Sequence, residues 1–349
     1  MKSFNPALLK LVREQRGISQ SMLKKDLNLP QAKISKLETG ELRPTKDLQE
    51  KLAAYFDYPE TFFYQSSMPF VSGMVHHRKR SSLGAKERDM LEAEVKLRAF
   101  DIVRLYKMDN RKTDMIPREN RTPEELAIAV RKHWNLKKGP LLNLVEEFEK
   151  HNIAIIAFDF QTEKLDAFLV PVSSELACIA LNTNPVFSPD RQRMSLAHEY
   201  AHFLMHQEAI QSKETEEEAN RFAAELLAPK TDIIDDLRPP LTLSRLRELK
   251  IKWHLSMYAL TYRAKAIGAI TEKSYTNLMI YLSARGYRKG EPSFGIEHEK
   301  PTLIDSLMEI FVENTPNALN ELHLTSTRFH ERYPSIKWEG QSMMTPTVS

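Results

Sequence analysis

Cysteine is nearly missing from this 349-residue chain. Cys178 stands alone, which excludes an internal disulfide and fits a reducing compartment. Long apolar runs are missing too: no segment approaches the ~20 apolar residues that a membrane-spanning helix requires. Lys10, Arg13, Glu14 and Arg16 interrupt the N-terminal region where a secretory signal would need an apolar stretch. Charge of one sign is also lacking. With 50 Lys and Arg against 47 Asp and Glu, the net charge of +3 points by itself to no class of partner. There is no internal repeat and no low-complexity tract. Together these absences predict a soluble protein of the cytoplasm with no membrane partner.

Enough apolar residues are present (42%) for a proper core, which argues against wholesale disorder. The length exceeds one average domain and predicts two or three. Up to about residue 65, apolar residues recur at helical spacing over 6–16, 19–27, 30–38 and 45–56, divided by Gly17, by Asn28, Leu29 and Pro30, and by Gly40. The stretch 66–121 reads as a helical linker. It has a basic start at Arg78, Lys79 and Arg80 and then a long periodic helix from Ala85 to about Met108.

A different pattern begins near residue 122. Thr122, with Glu125 three positions on, marks the capped start of an amphipathic helix, and "LLNLVEEFEKHN" is another. Strand-like runs follow at 153–158, 166–170 and 177–181. Ser188 and Pro189 suit the N-cap and first position of the next helix. A further helix covers about 214–227, a helical group fills 242–286, and the tail beyond about 315 is weakly patterned. The expected fold class is α+β: mainly α with a small β-sheet. The expected domains are 1–65, 66–121 (linker), 122–295 and 296–349 (C-terminal helical segment and tail).

The most informative stretch is "AHEYAHFLMH", residues 197–206. It places His198 and His202 four residues apart, about 40° from each other on one helical face, so that both imidazoles can meet one tetrahedral metal. Glu199 lies beside the first histidine, placed to take a proton from a water that zinc acidifies. HExxH alone is short enough to arise by accident, so a third ligand is the test. Downstream, "KETEEEANRFAAELLAP" offers Glu214, Glu216, Glu217 and Glu218. Ala219, Phe222, Ala223, Leu226 and Leu227 define an apolar face, and Glu216 lies nearest its centre. Glu217 and Glu218 are read as facing solvent, and Glu214 as a helix-start carboxylate. Asn220 shares the Glu216 face and is a candidate to orient a zinc-binding histidine. His206 has two readings: a donor to the oxyanion of a tetrahedral intermediate, or a partly exposed histidine at a helix C-terminus. His254, Tyr258 and Tyr262 are further oxyanion candidates among which the sequence does not choose.

These residues carry a resemblance. "LAHEYAHFLMH" followed by "EEEANRFAAELLAP" resembles the ImmA/IrrE family of zinc metallopeptidases, and the likeness continues through "WHLSMYALTYRAKAIGAI" and "YRKGEP", over about residues 125–295. It implies a gluzincin-like metallopeptidase domain, a Zn2+ cofactor held by His198, His202 and Glu216, and Glu199 as the catalytic base. It also implies a protein substrate, a repressor-type regulator cut in a stress, DNA-damage or mobile-element response.

"ISQSMLKKDLNLPQAKISKLETGELRPT" has helix-turn-helix organisation and resembles the Xre/lambda-repressor family at Gln20, Leu23, Ile34, Ser35, Glu38, Gly40 and Pro44. The resemblance implies an all-α domain binding double-stranded operator DNA as a homodimer. Gln31, Ala32, Lys33, Ser35 and Lys36 would face the major groove, and Gln20 and Arg43 would contact phosphates. Residues 1–57 carry eight Lys and three Arg against seven acids, which suits phosphate contact. The same small fold also serves protein binding, so that alternative stays open. Two functions follow: a DNA-binding zinc endopeptidase that regulates transcription, or a regulator whose peptidase-like domain senses a signal and cleaves little.

Overall fold

Short polar side chains set the helix boundaries of the N-terminal region. Asn5 caps α1 (Pro6–Gln15) by accepting from the Ala7 amide, and Ser19 caps α2 (Gln20–Leu27) through the Met22 amide. Asn28, in the left-handed conformation at φ 52°, ends α2 and turns the chain into α3 (Gln31–Thr39). Gly40 closes α3 at φ 81°, a conformation that glycine adopts without strain. After α4 (Lys46–Phe56) comes a 3-10 turn, Glu60–Tyr64. This computed structural model describes residues 3–66, 83–170, 172–207, 212–288 and 290–337. The basic residues Arg78, Lys79 and Arg80, and Lys289 of "YRKGEP", lie outside them.

The helices of the first region enclose Leu8, Leu9, Val12, Leu23, Ile34, Leu37, Leu52 and Phe56, all at most 3% exposed. Glu38 ties three of them together. It accepts from Arg13 of α1 (Nε, 2.5 Å) and from Gln20 of α2 (Nε2, 2.8 Å) while itself standing on α3.

The chain divides into two units, and the division is not linear in sequence. One comprises residues 1–68, 89–108 and 302–349; the other comprises 69–88 and 109–301. Most of the long helix α5 (Ala85–Met108), read from sequence as a linker, thus groups with the helix-turn-helix region, and so does the C-terminal segment. Within it lie α14 (Leu303–Asn314), in the expected helical segment, and, beyond residue 315 where the pattern is weak, α15 (Ala318–Leu322) and α16 (Ser326–Arg332). Its attachment is polar as well as apolar. Arg332 donates to Asp101 of α5 (2.8 Å) and to the Tyr58 hydroxyl (2.7 Å), and Tyr333 donates to the same Asp101 carboxylate (3.0 Å). Arg328 donates to the Phe56 carbonyl at the end of α4. Single short helices such as α15 and α16 carry too little periodicity to be read without these long-range partners.

The second unit holds α6 (Pro123–His133), α7 (Leu144–Lys150) and a three-stranded sheet. Thr122 and Glu125 form the expected capping box of α6. Strand β1 (Ala154–Phe158) runs parallel to β3 (Cys178–Asn182), with Ala154 opposite Cys178. Strand β2 (Ala167–Leu169) runs antiparallel on the other side of β3, with Phe168 opposite Ala180, giving the order β1-β3-β2. The central β3 is buried throughout, which explains its unbroken apolar run. The small sheet within a mainly helical chain matches the expected α+β class.

Helix α8 (Pro189–Met205) packs against β2 and along α9 (Lys213–Leu227). It is buried on nearly every face, its polar groups included. Tyr200, fully buried, lies between Trp134 (ring centroids 5.6 Å) and Phe148 (5.1 Å), and Phe222 of α9 meets its edge. The start of α8 is anchored by charge. Lys250 of α11 (Leu243–Trp253), itself fully buried, pairs with Asp190 at 3.0 Å and Glu291 at 3.1 Å. Glu291, from "YRKGEP", also accepts the Met257 and Tyr258 amides and so caps α12 (Met257–Ala266). Arg193 is held by the Leu141 and Leu142 carbonyls and Glu299. A short helix α10 (Lys230–Ile233) follows α9, and α13 (Glu272–Ala284) completes the unit.

The Arg332–Asp101 pair generates a stability prediction. Asp101→Ala strands a buried guanidinium and a buried tyrosine hydroxyl, and should cost about 3–5 kcal/mol in denaturant unfolding. The exposed pair Lys51–Asp47 is the comparison, and Asp47→Ala should change stability by less than about 1 kcal/mol.

Candidate metal centre

Helix α8 presents His198, Glu199 and His202, and α9 presents Glu216 across from them. The side chains converge. His198 Nε2 and His202 Nε2 lie 3.1 Å apart, Glu216 Oε1 is 3.1 Å from His202 Nε2, and Glu216 Oε2 is 3.5 Å from His198 Nε2. A tetrahedral site with bonds near 2.05 Å separates its ligand atoms by about 3.3 Å. Among the described residues these three form the one His/Cys/Asp/Glu group spaced for a metal ion.

The outward nitrogens fit the same reading. His198 Nδ1 is 3.0 Å from Asn220 Oδ1, a carbonyl that accepts, so the ring proton sits on Nδ1 and the Nε2 lone pair faces the cluster. Burial, with His198 nearby, outweighs the hydrogen bond that Glu216 accepts and pushes His202 down to about 4, so it is neutral near pH 7 and can donate a lone pair. Glu216 is partly exposed (21%), whereas His202 is 1% exposed. The donor set therefore fits a zinc ion.

Glu199 lies on the same helix but faces the sheet. It is 3% exposed, and its Oε2 accepts the Leu169 amide of β2 at 3.0 Å. This contact to a charged acceptor fixes the carboxylate. It was invisible in the sequence because a backbone donor has no residue-type signature.

Two expectations are corrected here. Glu218 does not face solvent: its side chain is 17% exposed, pairing with His206 Nε2 at 2.8 Å and Arg118 Nη2 at 2.8 Å. Burial opposes its charge, but these two hydrogen bonds more than offset it and hold the carboxyl below its usual range. The helical wheel contained the signal. Glu218 lies about 100° from the centre of the apolar face, as far to one side as Asn220 lies to the other, whereas Glu217 is about 150° away. Glu217 does point outward, with 63% side-chain exposure, and reaches only Lys213.

His206 is the second correction. It is 3% exposed, not a surface residue, and both ring nitrogens are engaged, Nδ1 with His202 Nδ1 (3.0 Å) and Nε2 with Glu218. This leaves neither nitrogen for an oxyanion. The other oxyanion candidates have surroundings of their own. His254 lines a cleft with Leu142 and Phe294, the Tyr258 hydroxyl meets Ser283, and Tyr262 is 58% exposed.

In the helix-turn-helix, Gln31, Ala32, Lys36 and Arg43 are exposed and Lys33 and Ser35 half-buried, while Ile34 and Leu37 of the same helix are core. Helix α3 thus offers one polar face. Gln20, half-buried, donates one N–H of its amide to Glu38 at 2.8 Å.

A pair of helices that brings two histidines and a glutamate to one point, beside a small sheet, is a metallopeptidase-like arrangement. Comparison with known families agrees: residues 148–265 match the IrrE N-terminal-like domain, a peptidase family that is typically metal-dependent. Residues 9–63 match the helix-turn-helix family of the Xre type. The chain therefore carries an ImmA/IrrE-like peptidase domain behind a helix-turn-helix domain. Against curated proteins the chain finds no match. Among the described residues, no helix is long and apolar enough to cross a membrane.

Glu216→Ala should lower both zinc content and thermal stability, because His198 and His202 alone leave too few ligands and metal binding to the folded state stabilises it. Glu217→Ala should retain zinc and change stability by at most about 0.5 kcal/mol. Metal analysis of the two purified variants tests this; zinc lost from Glu217→Ala and kept by Glu216→Ala would show the helix register to be wrong.

Proposed function

We propose that this protein is a DNA-binding zinc endopeptidase that regulates transcription by cutting a partner repressor at a specific site. The observation that carries the reading is the convergence of His198, His202 and Glu216 beside a fixed Glu199, in a chain that also holds a helix-turn-helix. When bound, zinc supplies Lewis acidity that acidifies water and polarises a peptide carbonyl. Glu199 receives the proton from the attacking water and passes it to the departing amide nitrogen. The Leu169 amide holds one oxygen of that carboxylate throughout. His198 and His202 keep their lone pairs inward, and Glu216 balances part of the positive charge.

On the DNA side, α3 reads operator bases through Gln31, Ala32, Lys33, Ser35 and Lys36, and Arg43 contacts phosphate. The protein binds a two-fold operator as a homodimer and acts in the cytoplasm. Cleavage relieves repression under stress, after DNA damage, or in control of a mobile element.

A second reading has one observation in its favour. His198, Glu199 and His202 are 4%, 3% and 1% exposed, so that of the cluster only Glu216, at 21%, meets solvent to any extent. A regulator that senses a signal and cleaves little would look the same.

The two readings separate in one experiment. Purified wild-type and Glu199→Gln protein are incubated with repressor-type proteins encoded beside the gene. The endopeptidase reading expects metal-dependent cleavage by the wild type and none by Glu199→Gln, which keeps its zinc because the amide is nearly isosteric but takes no proton. Full cleavage by Glu199→Gln removes the base assignment. No cleavage by either, with operator binding that responds to a small molecule, establishes the sensor.

DNA binding has its own check. Lys33→Ala and Lys36→Ala should weaken operator binding without changing zinc content, and loss of a phosphate contact should flatten the salt dependence by about one unit of slope. Unchanged affinity across a salt series would exclude α3 as the reader.

A further inference from the structure

Behind His202 stands a second row of polar side chains. His206, one helical turn on, is 3% exposed; its Nδ1 lies 3.0 Å from His202 Nδ1 and its Nε2 lies 2.8 Å from Glu218 Oε2. Glu218 Oε1 receives Arg118 Nη2 at 2.8 Å. Arg118 stands on the segment before α6, so the row joins three separate parts of the second unit.

The proton positions follow from the chemistry of the rings. His202 Nε2 faces Glu216 and His198, and to hold a metal it keeps its lone pair there. Its single ring proton then sits on Nδ1 and points at His206 Nδ1. That nitrogen accepts, which places the proton of His206 on Nε2, where it is donated to Glu218. Arg118 donates to the other oxygen and keeps Glu218 an acceptor. Each link has one direction, and the guanidinium at the far end sets it. His198 is served differently, by the amide of the exposed residue Asn220.

Building on the metal reading above, we propose that His206, Glu218 and Arg118 form a positioning relay that fixes the tautomer and ring orientation of His202, and through it the affinity and geometry of the metal centre. Neither His206 nor Glu218 belongs to the group His198, His202 and Glu216 that is spaced for a metal. A ligating histidine whose other nitrogen is held by a chain that leads to a carboxylate is a stronger and better-aimed donor than one left to rotate. The relay also crosses from α8 to α9, the two helices that supply the ligands.

The test uses the full-length protein with zinc and cobalt as probes. Zinc affinity is measured by competition with a chromophoric chelator, and cobalt geometry by the visible absorption spectrum of the Co2+-loaded protein. His206→Phe keeps the ring volume and removes the acceptor; zinc affinity should fall about 10–100-fold and the cobalt bands should shift. His206→Asn places an amide oxygen near the lost Nδ1, and should recover most of the affinity and the wild-type spectrum. A merely structural role for His206 would not be rescued by a residue so much smaller. Glu218→Gln, which breaks the charged end of the row, should lie between wild type and His206→Phe.

Should His206→Phe fail to fold without metal, Glu218→Gln and Arg118→Met carry the test in its place. Zinc affinity within twofold of wild type in the folded variants, with unchanged cobalt spectra, overturns the relay and leaves the metal centre standing. Absence of zinc binding by the wild-type chain overturns the metal reading itself, and the relay with it.

Discussion

A buried imidazole has two nitrogens to satisfy, and that requirement governs the region around α8. His198 and His202 turn one nitrogen each toward Glu216 and need a partner for the other. Asn220 and His206 meet the need, and His206 in turn requires Glu218. Two of these supports, with the third ligand, stand on α9, so the chemistry holds only while α8 and α9 keep their register. Tyr200 against Trp134, Phe148 and Phe222 supplies that register by packing. The Lys250–Asp190 pair and the Arg193 contacts hold the N-terminal half of α8. Buried side chains thus flank His198 and His202, and a change of even one methylene near Tyr200 would be felt at both.

Much of the centre was legible in the residues. The i, i+4 spacing of His198 and His202 is a property of any helix, and the apolar stripe of α9 selects Glu216 because it is continuous from Ala219 to Leu227. Misreading came at the margins of that stripe. A wheel sorts side chains into faces, but a glutamate on the flank is long enough to bend inward when a partner waits there. Glu218 has two, His206 and Arg118, and Arg118 is 100 residues distant in sequence. The Leu169 amide that holds Glu199 was out of reach for a simpler reason: its presence depends on where an edge strand falls relative to a helix.

The elements of the fold show the same split. Helices with caps and strong periodicity, such as those begun by Ser19, Thr122 and Pro189, could be placed within a residue or two. The three strands could be placed as well, since β-branched and apolar runs bounded by polar turns are local signals. The grouping of α5 and α14–α16 with the helix-turn-helix could not, because it rests on pairs such as Arg332 with Asp101, 231 positions apart. The register of a long helix says which face is apolar and says nothing of what will cover it.

That last pairing bears on how the chain is made. Asp101 sits in a buried place whose cationic partner, Arg332, is synthesised only after all of residues 109–301. During translation, therefore, the N-terminal unit waits with its long helix unsealed, while residues 109–301 can already fold. A chain that ended between residues 302 and 325 would contain all of residues 109–301, while its helix-turn-helix unit would lack α16. In this architecture the order of synthesis places the unit that holds His198, His202 and Glu216 ahead of completion of the helix-turn-helix unit.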